Sequence, residues 1–125
     1  MPSRSQVILL AHGSRDRRWC DTIECLSAQT LNAIPGAAVA YMELSTPSLE
    51  QVVTDAAAAG CEHVIVLPLF LAAGRHLRVD VPAQIASLQA QLNLRIELLP
   101  AVGENPVLGD AICEVARQSL ERCHE

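Results

Sequence analysis

Apolar positions along the chain fall into two patterns: short unbroken runs, and longer stretches with an apolar residue every third or fourth place. Val7-Ile8-Leu9-Leu10 is an unbroken run, as expected of a strand buried on both faces. From about Asp16 to Ile34 the period lengthens, and Trp19, Ile23, Leu26, Thr30 and Ile34 share one face of a predicted helix. Pro35-Gly36 ends it. Ala37 to Met42 reads as a second strand. Thr46-Pro47 then predicts a cap followed by proline at the first helical position. That helix turns Leu49, Val52, Val53 and Ala56 inward and stops at Gly60. Val64 to Leu67 is the third and most apolar strand, and Pro68, which has no N–H to donate, ends or bulges it. Asp80 is the expected cap of a third helix, with Pro82 in its first turn and Ile85, Leu88 and Leu92 as its inward stripe. Leu94 to Leu99 is the fourth strand. Asn105-Pro106 opens the last helix, with Leu108, Ile112, Val115 and Leu120 on one side.

Four strand–helix units in succession imply a parallel sheet with helices on both faces. The expected architecture is a single flavodoxin-like α/β domain over residues 1–125, with strand order 2-1-3-4. No internal repeat, linker or low-complexity segment interrupts it. The order has a functional consequence. The loops leaving strands two, one and three lie side by side, and ligands of open α/β sheets bind at the carboxyl ends of the strands.

Composition sharpens this picture in three places. Half of the 125 residues are apolar, enough for a real core, and the formal net charge of -5 argues against nucleic acid as an electrostatic partner. The chain has no lysine, and five of its nine arginines (Arg15, Arg17, Arg18, Arg75, Arg78) flank just two histidines, His12 and His76. Guanidinium grips carboxylates and phosphates in a planar, two-pronged way. The five cysteines (Cys20, Cys25, Cys61, Cys113, Cys123) form no C-x-x-C pair and are odd in number. The run Val7 to Ala11 is too short for a secretory leader, and no apolar stretch is long enough to span a membrane. Reduced thiols filling the core of a cytoplasmic protein, with no membrane partner, are the expectation.

The three adjoining strand ends carry the candidate chemistry. Strand one runs into His12-Gly13-Ser14-Arg15, strand two through Tyr41-Met42 into Glu43, and strand three through Pro68-Leu69-Phe70-Leu71 into Gly74-Arg75-His76. Two imidazoles and a carboxylate are thus expected to converge. Such a set suits a borderline divalent metal (cobalt, nickel, iron or zinc) and equally suits proton transfer near neutral pH. Gly13 and Gly74 also read as turn residues, Asp80 as a helix cap rather than an acid, and His63 and His124 as surface residues. Trp19, Tyr41 and Phe70 fall near the site but read as core packing.

His12-Gly13-Ser14-Arg15-Asp16 after an apolar strand resembles the opening motif of the CbiX/SirB-type chelatases. Tyr41-Met42-Glu43 followed by Pro47 is similar to their middle motif. Val66-Leu67-Pro68-Leu69-Phe70-Leu71, Gly74-Arg75-His76 and Asp80-Val81-Pro82 are similar to their second histidine motif. The match spans nearly the whole chain. Arg17 departs from it, standing where many members have proline, and no histidine-rich metal-handling stretch is present. The length resembles the small form, which in that family acts as a homodimer and corresponds to half of a two-domain chelatase. The resemblance implies a lyase that inserts a divalent metal into sirohydrochlorin, with cobalt the first choice as substrate metal, iron or nickel the alternatives, and no organic cofactor. It makes His12 and His76 the metal-binding pair that also assists loss of the pyrrole protons, and Glu43 their helper. Ser14, Arg15, Gly74 and Arg75 become the expected substrate-binding residues for a polycarboxylate tetrapyrrole.

Three rival readings stand beside this one. An iron chelatase making sirohaem shares every motif. A non-catalytic metal- or tetrapyrrole-binding module would keep the histidines without turnover. A phosphate-ester enzyme with His12 as nucleophile beside Arg15 would leave Glu43 and His76 unexplained.

Overall fold

The computed structural model describes residues 4–123; His124 lies outside them. The strands are β1 (Ser5–Ala11), β2 (Ala38–Tyr41), β3 (His63–Pro68) and β4 (Arg95–Leu98), and the helices are α1 (Arg17–Ala33), α2 (Leu49–Ala58), α3 (Val81–Leu92) and α4 (Pro106–Cys123). All strand pairs are parallel, in the order β2-β1-β3-β4, as the pattern predicted. Pro68 is the last residue of β3 and pairs in register with Leu10. The register sets Leu9 of β1 beside Val39 of β2 and Leu67 of β3, so alternate residues of all strands face one side together.

One sheet face carries the main core. Ile8, Leu10, Ala40, Val64, Val66 and Ile96 pack against Leu49, Val52, Val53 and Ala56 of α2 and Val81, Ile85 and Leu88 of α3. On the opposite face α1 covers Leu9, Ala11 and Tyr41 with Cys20 and Ser27. The α1 stripe is therefore rotated from the expected one: Trp19, Ile23 and Thr30 are half-buried, Ile34 is exposed, and Leu26 is 70 % exposed. Small side chains at 20 and 27 let the helix lie close on the sheet, which the larger residues flank rather than face.

Two helix starts differ from expectation. The Thr46–Pro47 peptide is cis and precedes α2, because the Pro47 carbonyl accepts the Tyr41 N–H at 2.9 Å and keeps the segment beside β2. Ser48 is the cap instead, in a reciprocal capping box with Gln51. Asp80 makes no cap bond at all, since its backbone is already helical. A single wide π turn, His76–Asp80, runs directly into α3.

The last helix is the largest departure. Every residue of α4 from Pro106 to Arg122 is exposed except half-buried Leu108. The face it could have covered shows the gap: Ile65 and Leu67 of β3 and the following Leu99 are only half-buried. Among the described residues no helix is long and apolar enough to cross a membrane.

The thiols divide as well. Cys20 is buried, Cys61 half-buried, and Cys25 and Cys113 are exposed on α1 and α4, so these last two are not core filler. The Cys123 side chain lies outside the described set. His63, expected at the surface, is only 15 % exposed, with Nε2 3.2 Å from Glu97 and Nδ1 3.4 Å from the Ser5 hydroxyl. Its neighbours on β1 and β4 close over the ring.

Candidate functional site

Backbone pairing continues past the regular strands and brings the three loops together. Beyond β1, the Ala11 and His12 carbonyls accept the N–H groups of Met42 and Glu43 at 2.9 and 3.1 Å. On the other side the Leu10 carbonyl accepts the Leu69 N–H at 2.8 Å. His12 thus sits between the loops after β2 and β3, as the strand order requires.

Gly13 makes the first junction. Its φ is +99°, and a Cβ there would lie 1.7 Å from the Glu43 carbonyl oxygen, so no other residue fits without moving one loop. Ser45 locks the same pair of loops. Its hydroxyl donates to the Ser14 carbonyl at 2.8 Å and accepts the Ser14 N–H at 3.0 Å. The Ser14 hydroxyl in turn accepts the Asp16 N–H at 3.0 Å, and Asp16 caps α1 through the Arg18 N–H at 2.9 Å. Leu44, between these contacts, is held at φ +63°, a strained conformation for a leucine.

Each histidine has one feature fixed by the protein. The His12 ring stacks on Phe70, with centroids 4.1 Å apart and planes 21° from parallel. Phe70 is buried and its carbonyl accepts the Gly103 N–H at 3.0 Å. His76 opens the π turn, and its Nδ1 lies 2.7 Å from Asp80 Oδ2. A carboxylate accepts, so Nδ1 donates to Asp80 and Nε2 is the ring nitrogen left to face elsewhere. Sequence reasoning gave Asp80 to the helix and Phe70 to the core. The four-residue spacing from His76 to Asp80 was the available signal for the first, since residues four apart share a helix face.

The arginines divide cleanly. Arg17 is held by Asp21 and Glu24, both at 2.9 Å, and the hydrogen bond and charge of Asp21 lead the causes that raise its already high pKa. Arg18 lies 3.6 Å from Asp16. Arg15, Arg75 and Arg78 have no ion-pair partner among the described residues. Arg15 and Ser14 border a cavity of about 400 Å³ that also includes Cys20, Tyr41 and Ser45. Burial raises the pKa of the Tyr41 phenol, which keeps it neutral over the ordinary range.

The expected convergence is looser than a ligand cage. Among the described residues no three His, Cys, Asp or Glu side chains gather into a metal-holding group. His12, Glu43 and His76 are all exposed, one on each loop, with His12 laid on Phe70 and His76 turned to Asp80. Gly74 accepts the Arg78 N–H at 3.1 Å, which starts the π turn. The arrangement offers separate donors at an open rim, with free guanidinium groups beside them.

A model of the family CbiX matches residues 6–119. The chain belongs to the CbiX family. A CbiX relative of known structure, from Marinobacter aquaeolei VT8 and named a candidate cobalamin (vitamin B12) biosynthesis protein, is 53% identical. It superposes with a TM-score of 0.90, covering 94% of this chain and 98% of that one. The sirohydrochlorin cobaltochelatase of Sulfolobus acidocaldarius is 22% identical over 114 residues, 91% of each chain. The sirohydrochlorin chelatase SirB of Bacillus subtilis subspecies spizizenii, solved in complex with cobalt, has the same fold at 20% identity and a TM-score of 0.81. That match covers 92% of the present CbiX chain but 50% of SirB. The CbiX match contains all three strand-end motifs and most of α4.

Proposed function

We propose that the chain is a sirohydrochlorin cobaltochelatase of cobalamin biosynthesis, a lyase that inserts divalent cobalt into the macrocycle. It works in the cytoplasm, with residues 1–125 as one domain, as a homodimer, and needs no organic cofactor. The observation that carries the reading is the pair of exposed imidazoles on the loops that follow β1 and β3, each oriented by a protein contact, with Arg15 and Arg75 on the same loops free of carboxylate partners among the described residues. Family membership and the cobaltochelatase named among the relatives support the same reaction.

In this mechanism Arg15 and Arg75 hold carboxylates of the macrocycle, and Ser14 and Gly74 shape the loops that present them. His12 and His76 hold the substrate metal, His76 through Nε2 because Asp80 engages Nδ1. Two imidazoles at an open rim leave coordination positions for the ring nitrogens, so the metal can pass rather than stay. As it passes, the pyrrole N–H protons leave the ring. The imidazole freed of metal accepts one and the Glu43 carboxylate the other. The products are the cobalt macrocycle and two protons, so charge and atoms balance.

Mixing the protein with an excess of free sirohydrochlorin and cobalt, and following the absorption spectrum, tests this. Conversion of many equivalents per chain is the expected result. Binding that stops at one equivalent would overturn it in favour of a non-catalytic tetrapyrrole module, and faster turnover with ferrous iron would move the enzyme to sirohaem synthesis.

A further inference from the structure

We propose that the cavity beneath the His12 loop is a carboxylate pocket, in which Tyr41 and Arg15 together hold one carboxylate arm of the macrocycle. The inference rests on the chelatase reading and deepens it, giving the buried end of that pocket to Tyr41.

Tyr41 is the single tyrosine of the chain. It ends β2 beneath α1, and only 3 % of it is exposed. Among the described residues its hydroxyl has no hydrogen-bond partner. The polar groups around it bond one another instead: the Ser45 hydroxyl donates to the Ser14 carbonyl at 2.8 Å and lies 3.4 Å from Cys20 Sγ. A buried hydroxyl without a partner is a cost to folding, so its reason lies outside the fold. Tyr41 lines the cavity of about 400 Å³ described above. The groups whose fields act on its phenol are Cys20, Glu24 and Arg17, and all three line the same cavity. The hydroxyl end of the ring is therefore the part that faces it.

The lining selects the ligand. Burial raises the phenol pKa, so Tyr41 is neutral over the ordinary range and can donate. The Ser14 hydroxyl accepts the Asp16 N–H and keeps its own proton to give. Arg15 has no ion-pair partner among the described residues, whereas Arg17 and Glu24 neutralise each other at 2.9 Å. The cavity also lies at the start of α1, the positive end of that helix's dipole. Hydroxyl donors with one free positive charge fit one negative charge shared by two oxygens, which is a carboxylate. A phosphate carries close to two negative charges and would meet Glu24 with one cation too few.

Position selects the source of the carboxylate. Ser14 and Arg15 follow His12 on one loop, and Gly13 and Ser45 fix that loop to the chain after β2. An arm seated on Tyr41 is thus tethered beside an imidazole that handles the metal, which suits an arm of the macrocycle better than a free acid.

The test uses the full-length chain without metal, with its tyrosine ring labelled with carbon-13. Tyr41 is the single tyrosine, so its ring signals need no assignment by mutation. Sirohydrochlorin, sodium acetate and inorganic phosphate are titrated separately. Sirohydrochlorin should move the signals and saturate first, acetate should move them only at much higher concentration, and phosphate should be weaker still. Acetate acting while sirohydrochlorin leaves the signals still would overturn the macrocycle as the source. Phosphate saturating before acetate would overturn the carboxylate, and no response to any of the three would overturn the pocket. Tyr41→Phe should melt no lower than the native chain at neutral pH, because the hydroxyl supports nothing inside the fold. It should bind metal-free sirohydrochlorin about tenfold or more weakly in a fluorescence titration, the effect of one charge-assisted hydrogen bond. Arg15→Ala and Tyr41→Phe combined should lose less than the product of their separate factors, because both grip one group. Native-strength binding by Tyr41→Phe, or factors that simply multiply, would overturn the shared pocket and leave the chelatase reading standing. A native chain that binds no sirohydrochlorin would overturn both.

Discussion

Gly13→Ala sets a methyl group against the Glu43 carbonyl in a backbone conformation that alanine resists. We expect a loss of about 2 kcal/mol or more in urea unfolding, together with a fall in turnover, because the His12 loop must move. Asp80→Asn tests the role that the sequence hid. It keeps the shape of the pair with His76 Nδ1 but removes the charge that fixes the ring, so cobalt insertion should slow about ten- to a hundredfold with macrocycle binding retained. Arg15→Ala and Arg75→Ala should do the reverse: weaker macrocycle binding, by about 1.5–3 kcal/mol each, with affinity for free cobalt unchanged in titration. Tyr41 gives a pH signature. Burial raises its pKa, so the folded chain holds that proton more tightly than the unfolded one. Its contribution is complete below about pH 10 and is lost as pH rises through the raised value. Tyr41→Phe should flatten the alkaline fall in stability measured by denaturant unfolding. His12 was legible as the residue directly after β1 and Glu43 as one just past β2, whereas His76 stands well beyond β3 and was reached through the loop that leaves it. The stack of His12 on Phe70 was not legible, because it joins residues distant in sequence, and the four-residue spacing from His76 to Asp80 was passed over for a helix cap.

At the scale of elements, strands announced themselves through unbroken apolar runs, and the alternation with helices implied the sheet order. Helix starts were harder. Thr46-Pro47 has the composition of a cap and first turn, yet Ser48-x-x-Gln51, starting at the very next residue, is the actual capping box. The Pro47 carbonyl was already committed to Tyr41, a tertiary bond that local chemistry cannot foresee. Ser48→Ala should therefore cost about 1 kcal/mol in a thermal melt, and Thr46→Ala much less. The α1 stripe was misread for a related reason. Helical period finds apolar residues, but close approach to the sheet selected the small ones, Cys20 and Ser27, and left Leu26 outside.

For the whole molecule, the sheet and its site edge follow from one chain, but the cover of the α1-side face does not. A periodic apolar stripe in α4 predicts burial, yet Ile112 and Val115 stand exposed. The root of that helix has a consequence for the site itself. The turn there grips the very loop whose Phe70 carries His12, so the last helix and the imidazole are mechanically joined. Gly103→Ala, which sets a methyl group against the Leu71 carbonyl, should then lower cobalt insertion although it lies far along the chain from His12.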